Sequence, residues 1–547
     1  RILTRQSLPD GIAPVDKENM LFKNTYVLLE QMIDANEPIA SRIREQYAPI
    51  GMIRLRQALD QGRFDHLESL AVQFHGTQAA RDALLHLADR DLSMGNFFSA
   101  AARYDALMDQ AEASLKPHIV AKRRLALALA GVDTGEPVKH RVQLGGQTLA
   151  GGDFEQLISS LLQERQLPGS VYADGRVIRT DAPAPKPLKL SSLTDLAPAR
   201  DMQERYGRRI RDVKFTIDGH MLYMHQHGKL TAIDLNNRQQ RWQKNESARD
   251  LSSFIAEVSA PLVLGDRVYV SLFRERKIEL HCFRKDNGDM VWRQAFDDAL
   301  AGDPIAIGPW LYVISVQRQL GDYADVILRR LSPETGESVL AEKVVRVRWG
   351  EELFRVGRPI VMGDTLIFRA GTSLVCCDVL GSPRWIRRLS HVPSSVDENL
   401  FEYQSLSPPI VNGENVILNC PGSPHIICVN AKTGEQVWSH LQPRVRKLVG
   451  PRGDKVIIST VTHLEALDMA TGKVVWQAPI TADYAATLPA DKNAILTVTL
   501  DKIEGQRNNG DRRVRVAEWI SAKDGTVIQS QEIPEEAAAI YSAETLV

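Results

Sequence analysis

The residues with chemical potential in this chain are few and scattered. His225 and His227 stand two apart, a spacing that suggests a metal pair. They precede Gly228 at a hairpin tip, with no carboxylate cluster nearby, so the reading goes against a metal. Cys376 and Cys377 are adjacent, which raises a vicinal disulfide. They sit inside the alternating run Ser373-Leu-Val-Cys-Cys-Asp378. Neighbouring side chains of a strand point to opposite faces, and a regular strand lacks the distorted backbone such a bridge needs. The chain has no GxSxG, HExxH or CxxC and no Walker phosphate loop. Its acidic residues recur at turn positions, where bonding to the turn backbone explains them.

Composition narrows the classes further. The chain has 547 residues, with Lys plus Arg at 67, Asp plus Glu at 68 and a net charge of −1. That balance gives no general attraction to nucleic acid or anionic lipid. No apolar run approaches the ~20 residues of a membrane span; the longest candidate, Leu125 to Val132, is short. Five cysteines are too few for a disulfide scaffold. The chain opens at Arg1 rather than Met, which reads as a processed or trimmed piece of a longer protein, so the missing targeting segment is no evidence for the cytoplasm.

The organising pattern is a repeat. Its clearest copy is Ala466-x-Asp468-x-x-Thr471-Gly472-x-x-x-Trp476. A short strand, a tight turn and a second strand are implied. Copies lead to Trp242, Trp292, Leu340, Trp385, Trp438 and Gln529, spaced 50, 48, 45, 53, 38 and 53 residues apart when Trp476 is included in order. Such spacing is one four-stranded propeller blade. The turn glycines are Gly288, Gly336, Gly381, Gly434, Gly472 and Gly525. Glycine supplies the positive φ of the turn, and Asp, Asn and Thr bond its backbone. Trp242, Trp292, Trp385, Trp438 and Trp476 are expected to plug the wedges between blades, largely buried, with the ring N–H on a carbonyl. Cys282, Cys376 and Cys428 stand where other blades have Ala232 and Ala466, and read as reduced, small, buried residues.

Over roughly residues 205 to 547 this repeat resembles the pyrroloquinoline-quinone-type (quinoprotein-type) propeller repeat. That family includes quinoprotein dehydrogenases and BamB-like lipoproteins of outer-membrane barrel assembly. The resemblance implies an all-β propeller. Seven blades are recognisable, and the fragment Ala537 to Val547 starts another, so an eight-bladed ring is expected. Either an N-terminal strand completes the last blade, or the rest lies beyond Val547. The family's catalytic members use the quinone with calcium, a carboxylate and amide set, a catalytic Asp and a stacking Trp. None of these can be assigned here, so no cofactor is expected and the quinone with calcium is the alternative. Some alcohol dehydrogenases of the family bridge adjacent cysteines near the cofactor; Cys376 and Cys377 are not expected to do so. The resemblance also implies a periplasmic or envelope location.

The elements ahead of the propeller differ in kind. Residues 1–25 read as an arm. Residues 26–166 have helical spacing. Within them, Gly95-Asn-Phe97-x-x-Ala100-x-x-x-Tyr104-x-x-Leu107 resembles the tetratricopeptide helix–turn–helix, and a weaker copy runs from Ala58 through Gly62 and Phe64 to Leu67. Two copies fall short of the ~3 that a free-standing solenoid needs, so a helical layer capping a neighbouring domain is an equal reading. Residues 167–204 form a Pro-rich linker, with a strand pair at Ser170 to Thr180 able to close a blade.

Four rim loops stand out: Lys244 to Ser253, Gln317 to Asp325, Ser390 to Pro408 and Lys502 to Asp511. The third carries Phe401 and Tyr403 among acidic residues, the candidates for partner contact. The expected function is a non-catalytic protein-interaction scaffold of the bacterial cell envelope. The alternatives are a quinone-dependent dehydrogenase and a propeller that binds glycan or a small ligand.

Overall fold

The computed structural model describes residues 11–165 and 214–533, apart from 19, 133–136, 145–146, 227–228, 238, 246–258, 275–276, 320–322, 349–355, 357–358, 390–406, 408, 420–422, 443, 481–483, 488–492 and 505–511. Two strands open the chain, β1 (Ile12–Pro14) and β2 (Leu21–Asn24). Asn24 then starts the helical part: its side chain accepts from the Tyr26 amide at 2.8 Å, a helix N-cap.

The helices are α1 (Thr25–Asp34), α2 (Glu37–Arg42), α3 (Ala48–Asp60), α4 (Asp65–Gln73), α5 (Gln78–Ser93), α6 (Phe97–Gln110), α7 (Lys116–Leu129) and α8 (Gly151–Arg165). A π-helical turn, Ile43–Tyr47, joins α2 to α3. A small hairpin, β3 (Val142–Leu144) and β4 (Gln147–Leu149), precedes α8. Helices α3, α5 and α7 stop by the same device. Gly62, Gly95 and Gly131 take φ of 64°, 78° and 79°. The next amide reaches back five residues: Arg63 to Ala58 at 2.8 Å, Asn96 to Asp91 at 2.8 Å and Val132 to Leu127 at 2.9 Å. The stops at Gly62 and Gly95 turn the chain into another helix, the one at Gly131 precedes the β3–β4 hairpin, and α4 to α8 pack in sequence order. Two of these stops are the tetratricopeptide-like copies of the sequence; the third, at Gly131, has no such sequence pattern. No described helix is long and apolar enough to cross a membrane.

Among the described residues seven antiparallel blades of a β-propeller follow, six of them four-stranded sheets and the fourth extended by β1 and β2. Blade 1 is β5 (Lys214–Asp218), β6 (Met221–Gln226), β7 (Lys229–Asp234) and β8 (Gln239–Asn245). Blade 2 is β9 (Leu262–Leu264), β10 (Arg267–Arg274), β11 (Lys277–Arg284) and β12 (Met290–Gln294). Blade 3 is β13 (Ala299–Ile307), β14 (Trp310–Arg318), β15 (Tyr323–Leu331) and β16 (Ser338–Arg348). Blade 4 is β17 (Ile360–Met362), β18 (Thr365–Ala370), β19 (Ser373–Asp378) and β20 (Pro383–Arg388). Blade 5 is β21 (Ile410–Asn412), β22 (Asn415–Asn419), β23 (His425–Asn430) and β24 (Gln436–Leu441). Blade 6 is β25 (Val445–Arg452), β26 (Lys455–Thr460), β27 (Leu464–Asp468) and β28 (Val474–Ala478). Blade 7 is β29 (Tyr484–Thr487), β30 (Ala494–Glu504), β31 (Arg512–Ser521) and β32 (Val527–Ile533).

In all seven blades the register between the third and fourth strands shifts just before the Trp position. One extra residue on the fourth strand sharpens its twist. The residue paired with the Trp is Ala232, Cys282, Cys376, Cys428 or Ala466, small enough to lie under the ring. In blade 3 the pair is Arg330 with Leu340, and in blade 7 the aromatic changes sides, Trp519 with Gln529.

Two expectations need correction. Residues 11–24 of the N-terminal arm are part of the propeller rather than a separate element, and their strands β1 and β2 are not the ones that could complete the last blade. They join blade 4, whose sheet runs β1-β2-β20-β19-β18-β17. The free edge of β20 offers unpaired backbone groups, and β2 satisfies them. The rim loops are also shorter than expected. Gln317 and Arg318 pair with Asp325 and Ala324, Lys502 pairs with Val514, and Lys244 pairs with Leu230. The linker at 167–204, the pair at Ser170 to Thr180 and the fragment Ala537 to Val547 lie outside the described residues.

Candidate functional site

The blades are joined by a recurring latch. The ring N–H of Trp242, Trp292, Trp385, Trp438 and Trp476 donates to the carbonyl of Lys285, Pro333, Ala431, Met469 and Ala522 of the next blade, at 2.8–3.1 Å. Three residues after each carbonyl comes the turn glycine, Gly288, Gly336, Gly434, Gly472 and Gly525. A Cβ there would lie 2.5–2.6 Å from the ring, so the ring rests on bare backbone. Trp242, Trp385, Trp438 and Trp476 are buried and Trp292 is half-buried.

The junction between blades 3 and 4 breaks this rule. The Leu340 side chain has no N–H to donate, and Gly381 faces Glu342 instead of a ring. Here the helical part docks. Residues of α5, α6 and α7 share one buried cluster with blades 3 and 4, including Tyr104, Leu107, Ile307, Tyr312, Leu366 and Phe368. The turn at Gly95 packs on Trp310, whose ring nitrogen would lie 3.5 Å from a Cβ at Gly95. Arg330, in the place of the small residue, lies over the Trp310 ring at 4.9 Å and donates to Asn96 of that turn. Asn96 in turn donates to Asp91 at 3.1 Å, and Arg103 donates to Asp91 at 2.9 Å. Sequence reasoning missed Trp310, Arg330 and Asn96. The signal was there: a blade that loses its Trp and carries Arg where Ala or Cys is usual must be packed by something else.

A second set of contacts ties α1 to blade 4. Asn24 donates to the Pro383 carbonyl at 3.0 Å. Arg384 of β20 pairs with Asp364. Burial raises the carboxyls of Asp364 and of Glu30 on α1 above their ordinary values, and pushes Asp378 up to about 6, against the pull of Arg384 in each case.

The residues singled out for chemistry are mostly absorbed by structure. His225 is buried, with its Nδ1 2.8 Å from the Ser259 carbonyl oxygen, and His227 lies outside the described residues. Among the described residues no three His, Cys, Asp or Glu side chains gather as a metal site. The recurrent acids and amides bond their own turns: Asp468 accepts from the Thr471 amide at 2.8 Å, Asn430 from Lys432 at 2.9 Å, and Asp378 from Leu380 at 2.9 Å. Glu465 is saturated by Gln442 at 2.8 Å and by His463 at 2.7 Å, with His440 at 3.3 Å. Cys376 packs beside Trp385, while Cys377 faces the cluster shared with the helices. Both are free thiols. The cysteines thus lie on opposite faces, the Trp rings are seated on glycine and these turn acids are committed to their own turns. Phe401 and Tyr403 lie outside the described residues.

BamB from Moraxella catarrhalis superposes with a TM-score of 0.42 at 13% identity, covering 59% of this chain and 87% of that one. The quinohemoprotein alcohol dehydrogenase from Comamonas testosteroni gives 0.38 at 12% identity, covering 60% and 68%. The computationally designed Ika8 protein gives 0.39 at 10% identity, covering 58% and 86%. No curated protein matches the sequence. Residues 201–342 and 324–533, together more than half of the chain, match the family described as outer membrane protein assembly factor BamB. The chain therefore belongs to this family of pyrroloquinoline-quinone-like β-propellers, here with a helical part docked between its third and fourth blades.

Proposed function

We propose that this chain is a non-catalytic protein-interaction scaffold of the bacterial cell envelope. The observation that carries the reading is the core shared by the helices with blades 3 and 4. A linker alone would leave the two parts free to reorient. The Arg330–Asn96 contact and the Trp310 seat fix them, so helical repeats and propeller loops face a partner in one geometry. Preset geometry lowers the entropy cost of binding a partner. The commitment of the turn acids to backbone amides supports a binding role over catalysis. The family's description, which names outer membrane protein assembly, supports an envelope location and protein partners.

Contact with the partner is assigned to the loop Ser390 to Pro408, through Phe401 and Tyr403. The experiment is paired capture from native envelope extract, with the wild-type chain and with Phe401→Ser/Tyr403→Ser. The proteins retained by the wild type should be lost from the variant. Undiminished capture would remove the loop from the reading. Dye-linked dehydrogenase activity on adding the quinone and calcium would overturn the non-catalytic assignment.

A further inference from the structure

Blade 4 shows what its fourth strand can accept. β2 runs antiparallel to β20, with Leu21 opposite Arg387, Phe22 opposite Ile386 and Lys23 opposite Trp385. The Arg388 amide donates to Met20 at 2.7 Å, so amides at alternate positions, Ile386 included, face the added strand. Leu21 fills the wedge beside Trp385 and Gly434. Lys23 pairs with Glu435, the residue after that glycine, at 3.3 Å. With the strand seated, Trp385 is 1% exposed.

Among the described residues, blade 2 repeats this seat without a strand in it. Trp292 is paired with Cys282 as Trp385 is with Cys376. Gly336 lies against the Trp292 ring as Gly434 lies against Trp385. Glu337 follows Gly336 and is exposed, as Glu435 follows Gly434. Among the described residues the sheet ends at β12, with nothing paired beyond it. Met290 and Val291 on β12 are 48% and 41% exposed, and Trp292 is the one latch ring that is not buried. The other junctions lack the match in charge. Asp289 of blade 2, the acid facing blade 1, already pairs with Lys244 at 3.9 Å; Lys473 and Thr526 occupy the place at blades 6 and 7.

We propose that the free edge of β12 is a docking edge for an extended segment of a partner protein, of the pattern apolar–apolar–basic, added antiparallel as a fifth strand. Main-chain bonds to β12 supply affinity, the wedge beside Trp292 takes the first apolar side chain, and Glu337 takes the basic one. The inference deepens the scaffold reading and rests on it, but uses a surface remote in sequence from Phe401 and Tyr403, so the two fail separately.

The probe is a fluorescent peptide carrying residues 17–24, titrated into the full chain. Binding should be saturable. A peptide with Lys23→Glu should bind about three- to tenfold more weakly, and the Glu337→Lys protein should reverse that preference. Arg293 follows Trp292 as Ile386 follows Trp385, so its amide faces the free edge. Arg293→Pro removes that donor at a position an edge strand tolerates, and should weaken binding by about tenfold or more. Absence of binding overturns the proposal, as does binding that neither variant alters. Protection of the Arg293 amide from hydrogen exchange in the free protein also overturns it, because a segment of this chain would then fill the edge.

Discussion

The ring N–H of Trp385 donates to the carbonyl of Ala431, 2.8 Å away, across the junction between blades 4 and 5. The same bond closes four other junctions, always onto a carbonyl three residues before a turn glycine. The latch therefore has two halves, a Trp in one blade and a bare glycine in the next. Neither works without the other. Blade 7 has Gln529 in place of the Trp, and blade 1 has no glycine in its Asp234 turn, so each of these two blades lacks one half of the latch.

Filling the glycine half should be costly in a way that backbone strain alone is not. Gly472 and Gly413 both have positive φ, 68° and 59°, but only Gly472 lies under a ring. Gly413→Ala should cost about 1–2 kcal/mol from the left-handed backbone. Gly472→Ala should cost a further ~1–3 kcal/mol from overpacking against Trp438. Denaturant unfolding of the two variants measures the difference; equal losses would remove the latch from the account.

Emptying the Trp half should be worse. Trp438→Ala removes a buried ring and leaves a wedge between blades 5 and 6, at about 3–5 kcal/mol. Trp438→Phe keeps most of the contact and loses the bond to Met469, so it should be the milder change on the same unfolding curve.

The seam between helices and propeller should open first when Arg330 is lost. Arg330→Leu removes the donor to Asn96 and the cation over Trp310. Leaving buried Asn96 short of a partner should cost about 1–3 kcal/mol. Hydrogen exchange should rise at the α5–α6 turn around Gly95, with blades 5 and 6 unchanged.

The α1–blade 4 contact should prefer mild acid. Burial lifts Asp378 from its ordinary 3.8 to about 6, so the folded chain holds that proton more tightly than the unfolded one. The stabilising contribution is full below about pH 4 and is lost as pH rises through about 6. Glu30 and Asp364 shift in the same direction. Asp378→Asn keeps an acceptor for the turn amides and removes the titration, so stability should vary less between pH 4 and 6. An unchanged pH profile would place the titration elsewhere.

The buried thiols should be inert. Burial pushes Cys282 up to about 11 and Cys376 and Cys428 up to about 12, so little thiolate forms near neutrality. Alkylation at pH 8 should be slow in the folded chain and fast once unfolded. Cys428→Ala should cost only about 1 kcal/mol, because Ala already serves under the ring in other blades.

The blade repeat was legible in the residues because its elements are local. A turn glycine, an acid that bonds the turn amides and an aromatic a few residues later act within one hairpin, so their spacing survives in the linear text. The helix stops at Gly62 and Gly95 were readable for the same reason. The seating of the parts was not. Asn96 meets Arg330 across 234 residues, Asn24 meets Pro383 across 359, and Lys23 meets Glu435 across 412. No periodicity encodes such pairs. They depend on which blade edge is free, which wedge lacks its Trp and which helix turn has the shape to fill it. Close packing between distant segments settles those matters, and it exists only once the chain has folded.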